Sequence, residues 1–436
     1  MEAADVLIPK IDIKPTVNQT SWKEKLQPRE REQIPKVFQG VLDMTEQTLG
    51  DFKTMEKEVN RIAVVLSAYD ANNLLPETLR EITEQLKKSR FGGEIFVILN
   101  NGGGNTRDFV NSEMKQSQLE VITNEIGVNE IVFGKTESLD DTVPNSKAVP
   151  SKITLDRAVP QKMDGVRLVV VEQQNEPDNS GKIRGLRDVY EYLKQQNQET
   201  GYCPQYLFAI DAETRIRPVN AQRKEIITDD NSGLSHMIEL SNEGKRMVGA
   251  KLQFVPYDDN GNPSWKEKTP PMQEAISIMH GMKGYEWLPG GGTLGGFPEM
   301  VSILNSISLK LPGTRIEDVL TTVTAKSLGI ETVVDEQVAH ANKCPSESDR
   351  QAIFAQMERW LKGAEGMKQV TGKHLAEKVI SNGIIKIITY PLKELARGRK
   401  VDISHLLTGL PNYVKASRLA KGEPDDFVEG VAVFKL

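Results

Sequence analysis

Short apolar runs with the composition of buried strands recur along the chain, and they constrain its fold more than any other feature. The four clearest runs lie at residues 62–66, 94–99, 166–171 and 206–210. Amphipathic helical patterns at residues 76–88 and 183–193 separate some of them. Alternation of buried strands with helices predicts an α/β fold, in which a mainly parallel sheet is flanked by helices.

The pattern continues beyond these runs and divides the chain into three regions. Further strands are expected at residues 247–254 and 331–334, and a further helix at 316–328. The polar, weakly periodic stretch 111–165 is expected to be a surface excursion. We predict an N-terminal arm at 1–58 with one helix near 37–55, an α/β domain at 59–345, and a helical C-terminal region at 346–436, with helices at 349–362 and 375–397.

Composition excludes several classes of protein. The 436 residues are 38% hydrophobic and 27% charged, which is typical of a globular protein with one large domain plus additions, or with two domains. A net charge of -6 argues against nucleic acid as a partner. Two cysteines exclude a disulfide framework and a cysteine-rich metal site. Neither a secretory signal nor an apolar run of about 20 residues is found, so we expect a cytoplasmic protein or one attached peripherally to a membrane.

Acidic residues follow the fourth strand directly. Asp211 and Glu213 come after the apolar run 206–210 and are two positions apart, so their side chains should leave the strand end on the same side. Two carboxylates in that arrangement suit Mg²⁺ or Mn²⁺. A solvated turn or a helix cap is the alternative interpretation of the same pair.

Other polar residues also stand at element ends. Asp70 follows the first strand, Asn100-Asn101 follow the second, and His340 follows the strand predicted at 331–334. His340 is a candidate third metal ligand, although a lone histidine is more often structural. Glu317-Asp318 open a predicted helix. Acids are also favoured there by the helix dipole, so capping of the helix is the alternative to a catalytic role.

Two glycine-bearing segments could approach a ligand. Gly181-Lys182 open the helix at 183–193, where backbone N–H groups and a lysine can bind an anion, and an ordinary helix start is the alternative. The segment 288–294 contains Gly290-Gly-Gly-Thr293 and predicts a sharp turn against which a substrate could lie. A tight turn without function is the alternative there.

Taken in order, these clusters resemble the family 2 glycosyltransferases of the GT-A fold, over about residues 60–363. The segment 64–79 is similar to the opening strand, loop and helix of that family, and 290–293 resembles its acceptor-side glycine loop. The polar elements that resemble its motifs are Asn175 with Gly181-Lys182, Asp211-Ala-Glu213, Glu317-Asp318, and Gln356-Met-Glu-Arg-Trp360. The last matches the Gln-x-x-Arg-Trp signature that is typical of processive members.

The resemblance implies a GT-A type, Rossmann-like sheet and a metal-dependent, inverting hexosyltransferase. Its donor would be a nucleotide sugar, either a UDP- or a GDP-sugar, and its acceptor a hydroxyl of a carbohydrate or of a lipid-linked glycan. Asp318 would be the general base. Asp211 and Glu213 would hold Mn²⁺ or Mg²⁺, with His340 as the candidate third ligand. Asp70, Asn100 and Asn101 would contact the nucleoside of the donor, and Lys182 would contact the nucleoside or its phosphates. Gln356 and Arg359 would bind the diphosphate. Trp360 would contact the acceptor sugar.

The chain departs from this family at three points. Asn100-Asn101 stand where an aspartate usually helps to hold the nucleotide, and an amide carries no charge, so the donor nucleotide is left open. Glu213 replaces the commoner aspartate and keeps the oxygen ligand on a longer arm. Processive relatives carry transmembrane helices and this sequence shows none, so synthesis of a long exported polymer is not expected.

Other functions remain open from the sequence. A nucleotidyltransferase could hold a metal with similar acids, and a non-catalytic protein could bind a nucleotide sugar with the two asparagines. A retaining mechanism is a further alternative. An apolar helical stripe with basic neighbours near residues 379–400 could rest on an anionic membrane surface, and packing on the α/β domain is the competing explanation.

Overall fold

The computed structural model describes sixteen stretches of the chain, to which the structural account refers: residues 21–52, 58–68, 74–99, 128–138, 151–156, 165–173, 181–220, 225–227, 230, 232–257, 263–264, 277, 280, 286–311, 317–344 and 366–379. Six residues with predicted roles lie outside the described residues, and their roles stay predictions: Asp70, Asn100, Asn101, Gln356, Arg359 and Trp360. The helix predicted at 349–362 also lies outside them, as does the part of the helix predicted at 375–397 that follows residue 379.

The described strands join one sheet. Their bounds are β1 Glu58–Ala68, β2 Gly92–Leu99, β3 Val128–Ser138, β4 Ser151–Leu155, β5 Val166–Glu172, β6 Pro204–Asp211, β7 Arg215–Asn220, β8 Glu225–Ile226, β9 Met247–Val255, β10 Gly292–Gly296 and β11 Thr332–Lys343. Their order across the sheet is β4-β3-β5-β2-β1-β6-β10-β9-β11-β7-β8.

Most strands of this sheet run in one direction. The neighbours β3, β5, β2, β1 and β6 are parallel throughout, and β9 is parallel to β11. Among the described strands only β4, β7 and β10 run against the others. The predicted α/β class with a mainly parallel sheet is therefore confirmed.

Helices cover both faces of the sheet. Their bounds are α1 Trp22–Lys25, α2 Pro28–Glu32, α3 Lys36–Asp51, α4 Leu75–Lys88, α5 Gly181–Thr200, α6 Gly233–Asn242, α7 Phe297–Lys310, α8 Glu317–Ser327 and α9 Lys373–Val379. Residues 366–371 are also helical. Within this described part of the chain, no helix combines the length and the apolar character that crossing a bilayer requires.

Alternate residues of β1 show how the two layers of helices are held. Ala63 and Val65 point into a core that contains residues of α3, α5, α7 and α8. Ile62 and Val64 point into a second core with α4 and α6. Because successive side chains of a strand face opposite sides, a continuous apolar run is what a strand buried on both faces requires.

The N-terminal segment packs against this framework through its longest helix. The sequence predicts a helix near 37–55, and the structure places α3 at Lys36–Asp51. Phe38, Val41 and Leu42 are fully buried in the core that α3 shares with α7. The predicted boundaries of the arm, the α/β domain and the C-terminal region stay predictions.

The predicted surface excursion at 111–165 is wrong for its described part, because β3 and β4 extend the sheet there. Ion pairs contribute to the pairing of β3 with the rest of the sheet. Arg167 of β5 lies 2.6 Å from a carboxylate oxygen of Glu94 on β2 and 2.8 Å from one of Glu130 on β3. The ion pair with Arg167 accounts for the charged Glu130 in β3, which interrupts the apolar pattern by which a strand is recognised.

Candidate functional site

The chain changes direction across the sheet at the boundary between β1 and β6. From β1 it moves to β2 and on to β5 on one side, and it then returns to β6 on the other side of β1. Ser67, near the end of β1, pairs with Asp211 at the end of β6. Ligands of open α/β sheets bind outside the carboxyl ends of the strands at such a reversal. Asp211 therefore stands where a ligand is expected.

A tight turn follows Asp211 and carries the second predicted carboxylate. The N–H of Ala212 donates to the carbonyl of Ser67 at 3.1 Å, which ties the turn to β1. The N–H of Thr214 donates back to the carbonyl of Asp211 at 2.9 Å and closes the turn. The side chains of Asp211 and Glu213 are half-buried. Two carboxylates thus remain within reach of solvent at the end of β6.

The glycine-rich segment lies directly against Asp211. Gly292 pairs with Ile210 of β6, which brings the preceding turn over the end of that strand. A Cβ atom on Gly291 would lie 2.8 Å from Oδ2 of Asp211 and 2.8 Å from Oγ1 of Thr214. Only glycine permits this approach without a shift of the carboxylate. The structure therefore joins two motifs that the sequence left 80 residues apart.

His340 lies at the back of this turn. The sequence places it just past a strand, whereas in the structure it belongs to β11, where it pairs with Ile216 of β7. Its buried imidazole has Nε2 3.2 Å from Oγ1 of Thr214. A Cβ on Gly292 would lie 2.9 Å from Nδ1 of His340. The structure thus brings His340 and Asp211 to the same turn, and the role of His340 as a metal ligand stays a prediction.

The donor chemistry of the turn fits a hard divalent cation. Asp211 and Glu213 supply carboxylate oxygens, which Mg²⁺ and Mn²⁺ prefer. Over the residues that the structure describes, no group of three or more His, Cys, Asp or Glu side chains is arranged to hold a metal ion. Mg²⁺ is commonly bound by one or two carboxylates, with phosphate oxygens and water as the other ligands. A cation at Asp211 would accordingly need a phosphate-bearing ligand.

A second histidine, His280, joins β9 to the segment that precedes the glycine turn. Its Nδ1 accepts the N–H of Leu252 at 2.9 Å, so Nε2 carries the proton and donates to the carbonyl of Trp287 at 2.7 Å. Burial lowers the pKa of His280 to about 3, an effect to which the nearby His340 adds, so His280 is neutral. Sequence reasoning missed His280, because a single histidine forms no pattern.

Asp318 opens α8, whose first turn is fastened to the same glycine segment. The hydroxyl of Thr322 donates to the carbonyl of Asp318 at 3.1 Å and accepts the N–H of Leu288 at 2.8 Å. Leu288 lies three residues before Gly291. Oδ1 of Asp318 accepts the N–H of Val319 at 2.8 Å, a contact that belongs to the capping alternative. The helix that carries Asp318 therefore adjoins the turn. The catalytic role of Asp318 stays a prediction.

A buried ionic cluster supports the strand that follows the turn. Glu81 of α4 lies 2.6 Å from the guanidinium of Arg217 and 3.6 Å from that of Arg215, both on β7. The same carboxylate accepts the N–H of Ile216 at 2.9 Å. Sequence reasoning missed this cluster, since its members are far apart along the chain. The carboxylate of Glu81 offsets part of the positive charge of the two guanidinium groups behind the site.

The remaining predicted contacts lie next to two described strand ends and in α5. Ala68 at the end of β1 pairs with Leu99 at the end of β2, and these are the last described residues before Asp70 and Asn100. Lys182 lies in the first turn of α5, and its side chain is outside the described part. Contacts of all three with a nucleotide stay predictions.

Comparison with solved structures finds glycosyltransferases at low sequence identity. One is a mannosyltransferase from Pyrobaculum calidifontis in complex with GDP-Man and Mn²⁺, with 11% identity, 91% of this chain and 94% of that chain covered, and a TM-score of 0.41. Another is TarS from S. aureus, with 10% identity, coverage of 83% and 92%, and a TM-score of 0.35. No protein-family profile and no curated protein sequence matches the chain. At these TM-scores the likenesses carry no functional argument, which must come from the site itself.

Proposed function

We propose that the protein is a divalent-cation-dependent, inverting glycosyltransferase that moves a hexose from a UDP- or GDP-sugar to a hydroxyl of a carbohydrate or lipid-linked acceptor. One observation carries the proposal: Asp211 stands at the reversal of strand order, and the neighbouring Gly291 has no side chain that would cover the carboxylate of Asp211. A carboxylate at that place, with a second one two residues on, is what a diphosphate-bound cation requires.

In the proposed reaction, Asp211 and Glu213 would hold a divalent cation beside the diphosphate, and His340 is the further candidate ligand. When bound, a divalent cation neutralises charge on the departing nucleoside diphosphate. Asp318 accepts the proton of the acceptor hydroxyl as the hydroxyl oxygen forms a bond to the anomeric carbon. The bond from that carbon to the diphosphate oxygen breaks at the same time, and the configuration is inverted because attack comes from the opposite face.

The rest of the donor and acceptor contacts follow the sequence predictions. Asp70, Asn100 and Asn101 contact the nucleoside, and Lys182 contacts the nucleoside or its phosphates. Gln356 and Arg359 bind the diphosphate, and Trp360 offers an apolar face to the acceptor sugar. The adjoining ends of β1 and β2 support the first of these assignments, because both nucleoside-contacting segments begin there.

The experiment is a turnover assay with a panel of UDP- and GDP-sugars, Mn²⁺ or Mg²⁺, and carbohydrate or lipid-linked acceptors. Release of a nucleoside diphosphate supports sugar transfer, whereas release of pyrophosphate indicates a nucleotidyltransferase. Binding of donors without turnover across all acceptors indicates a non-catalytic binder. Inversion at the anomeric carbon is read from the product by NMR, and a retained configuration would exclude Asp318 as the base of a single displacement.

Substitutions separate the site residues from the fold. Asp211→Asn and Asp318→Asn remove one negative charge each with little change of shape, and both should abolish most transfer. Asp51→Asn is the matched control, since Asp51 is exposed at the end of α3, in a layer of helices outside the site. Full transfer by Asp318→Asn would exclude it as the base, and full cation-dependent transfer by Asp211→Asn would overturn the proposed cation site.

A further inference from the structure

The turn that follows β6 has four consecutive main-chain carbonyl groups, and each of them accepts a hydrogen bond. The carbonyl of Asp211 accepts the N–H of Thr214 at 2.9 Å, within the turn. The carbonyl of Thr214 accepts from the guanidinium of Arg215, also at 2.9 Å. The two carbonyls between them accept from the side-chain hydroxyls of Thr78 and Tyr257, which lie far away in the sequence.

Thr78 reaches the turn from the second turn of α4. Its fully buried hydroxyl donates to the carbonyl of Ala212 and accepts from the guanidinium of Arg215. Its oxygen also lies 2.9 Å from the carbonyl of Leu74, one helical turn earlier. Because the site of Thr78 is buried, water cannot replace these contacts if the hydroxyl is removed.

Tyr257 reaches the next carbonyl from just beyond β9. Its hydroxyl donates to the carbonyl of Glu213, and its backbone is held in a bridge with Pro263. A carbonyl oxygen can only accept a hydrogen bond, so the hydroxyl of Tyr257 is the donor in this contact. Tyr257 therefore donates to the peptide group that carries the second carboxylate.

We infer that Thr78 and Tyr257 are positioning residues, which fix the peptide planes of Ala212 and Glu213 so that the carboxylates of Asp211 and Glu213 face one cation. This inference rests on the proposed function, because it assigns a purpose to the turn at the cation site. Ligands that are already held in place lose little conformational freedom on binding, so the affinity for the cation is raised.

The test measures Mn²⁺ affinity by electron paramagnetic resonance, with Mn²⁺ alone and with Mn²⁺ plus GDP or UDP. Thr78→Val and Tyr257→Phe each remove a hydroxyl and keep the shape of the side chain. Loss of a group that orients a metal ligand typically lowers metal affinity about 10- to 100-fold, and we expect a loss in that range for both variants. In turnover, the Mn²⁺ concentration for half-maximal rate should rise more than kcat falls, and Thr78→Ser should restore the affinity.

Two control variants separate positioning from general loss of stability. Thr83→Val changes a buried threonine of the same helix, whose Oγ1 makes no hydrogen bond to the described residues. Tyr206→Phe removes a 2.7 Å hydrogen bond to Asn242 near the opposite end of β6. Both should bind Mn²⁺ like the unchanged protein.

The outcomes distinguish this inference from the proposed function. If the unchanged protein binds Mn²⁺ with GDP or UDP and both hydroxyl variants bind it equally well, the inference is overturned and the proposed function stands. Equal losses in the two controls would overturn it as well, since the effect would then be one of stability. Failure of the unchanged protein to bind Mn²⁺ under any of these conditions would overturn the proposed cation site and this inference together.

Discussion

Replacing Gly291 by alanine tests the close approach between the glycine turn and the carboxylate at the end of β6. The added Cβ would lie 2.8 Å from Oδ2 of Asp211 and from Oγ1 of Thr214, whereas ordinary contacts of a Cβ begin at 3.4 Å. The carboxylate or the turn must therefore move by the difference, 0.6 Å. Misplacement of a reacting group by about 1 Å can cost ~100-fold in rate, so a shift of this size predicts a loss of about 10-fold.

Stability should change much less than function in this variant. The side chain of Asp211 is half-buried and can yield, so we expect Gly291→Ala to lower the free energy of unfolding by about 1–2 kcal/mol, within the range for overpacking. The assays are Mn²⁺ affinity in the presence of GDP or UDP, the rate of sugar transfer, and urea unfolding. Gly50→Ala is the control, because a Cβ on Gly50 meets nothing within 4 Å. Unchanged Mn²⁺ affinity and transfer in a folded Gly291→Ala protein would refute the reasoning.

Three further predictions concern the framework of the site. The pKa of His280 is 6.5 in the unfolded chain and about 3 in the folded protein, so its contribution to stability is present above pH 6.5 and falls by about 2 kcal/mol at pH 5. Urea unfolding of His280→Gln should therefore depend less on pH between 5 and 6.5 than that of the unchanged protein, and an equal dependence would contradict this prediction. Gly93→Ala should lower the free energy of unfolding by about 3 kcal/mol or more, because φ of Gly93 is 146° and the new Cβ would lie 1.9 Å from a backbone oxygen. Gly244→Ala, where φ is 103° and the Cβ would meet nothing within 4 Å, should lower it by about 1 kcal/mol, and similar midpoints of urea unfolding for the two variants would contradict this. Arg167→Met leaves the buried carboxylate of Glu94 without its ion pair and should cost about 3–5 kcal/mol, which urea unfolding would check. A cost below about 1 kcal/mol, as for an exposed ion pair, would exclude this explanation.

The central strands could be predicted from the sequence because burial on both faces leaves a continuous apolar run. The prediction at 62–66 corresponds to β1, and those at 166–171 and 206–210 correspond to β5 and β6. The strand ends were also predictable, since Asp211-Ala-Glu213 interrupt the apolar run at once. The place of Asp211 at the reversal of strand order became visible only when the pairing of β1 with both β2 and β6 was known.

Elements whose residues are satisfied by distant partners could not be predicted. The segment 288–294 was expected to be a sharp turn, yet its last three residues belong to β10. In that strand the side chain of Met300 would lie 2.5 Å from a Cβ on Gly295. Glycine in such a strand reflects the closeness of neighbours, which local sequence does not reveal. Thr78 and Tyr257 were missed for a similar reason, because their hydroxyls serve a turn more than 40 residues away.

The account depends most on a nucleoside diphosphate and a cation sharing the carboxylate of Asp211, and calorimetry of GDP and UDP binding with and without Mn²⁺ tests it most directly. We predict that the unchanged protein binds one of the two nucleotides only with Mn²⁺, and that Asp211→Asn removes this binding while Asp51→Asn keeps it. Equal binding with and without the cation, or undiminished Mn²⁺-dependent binding by Asp211→Asn, would contradict the account.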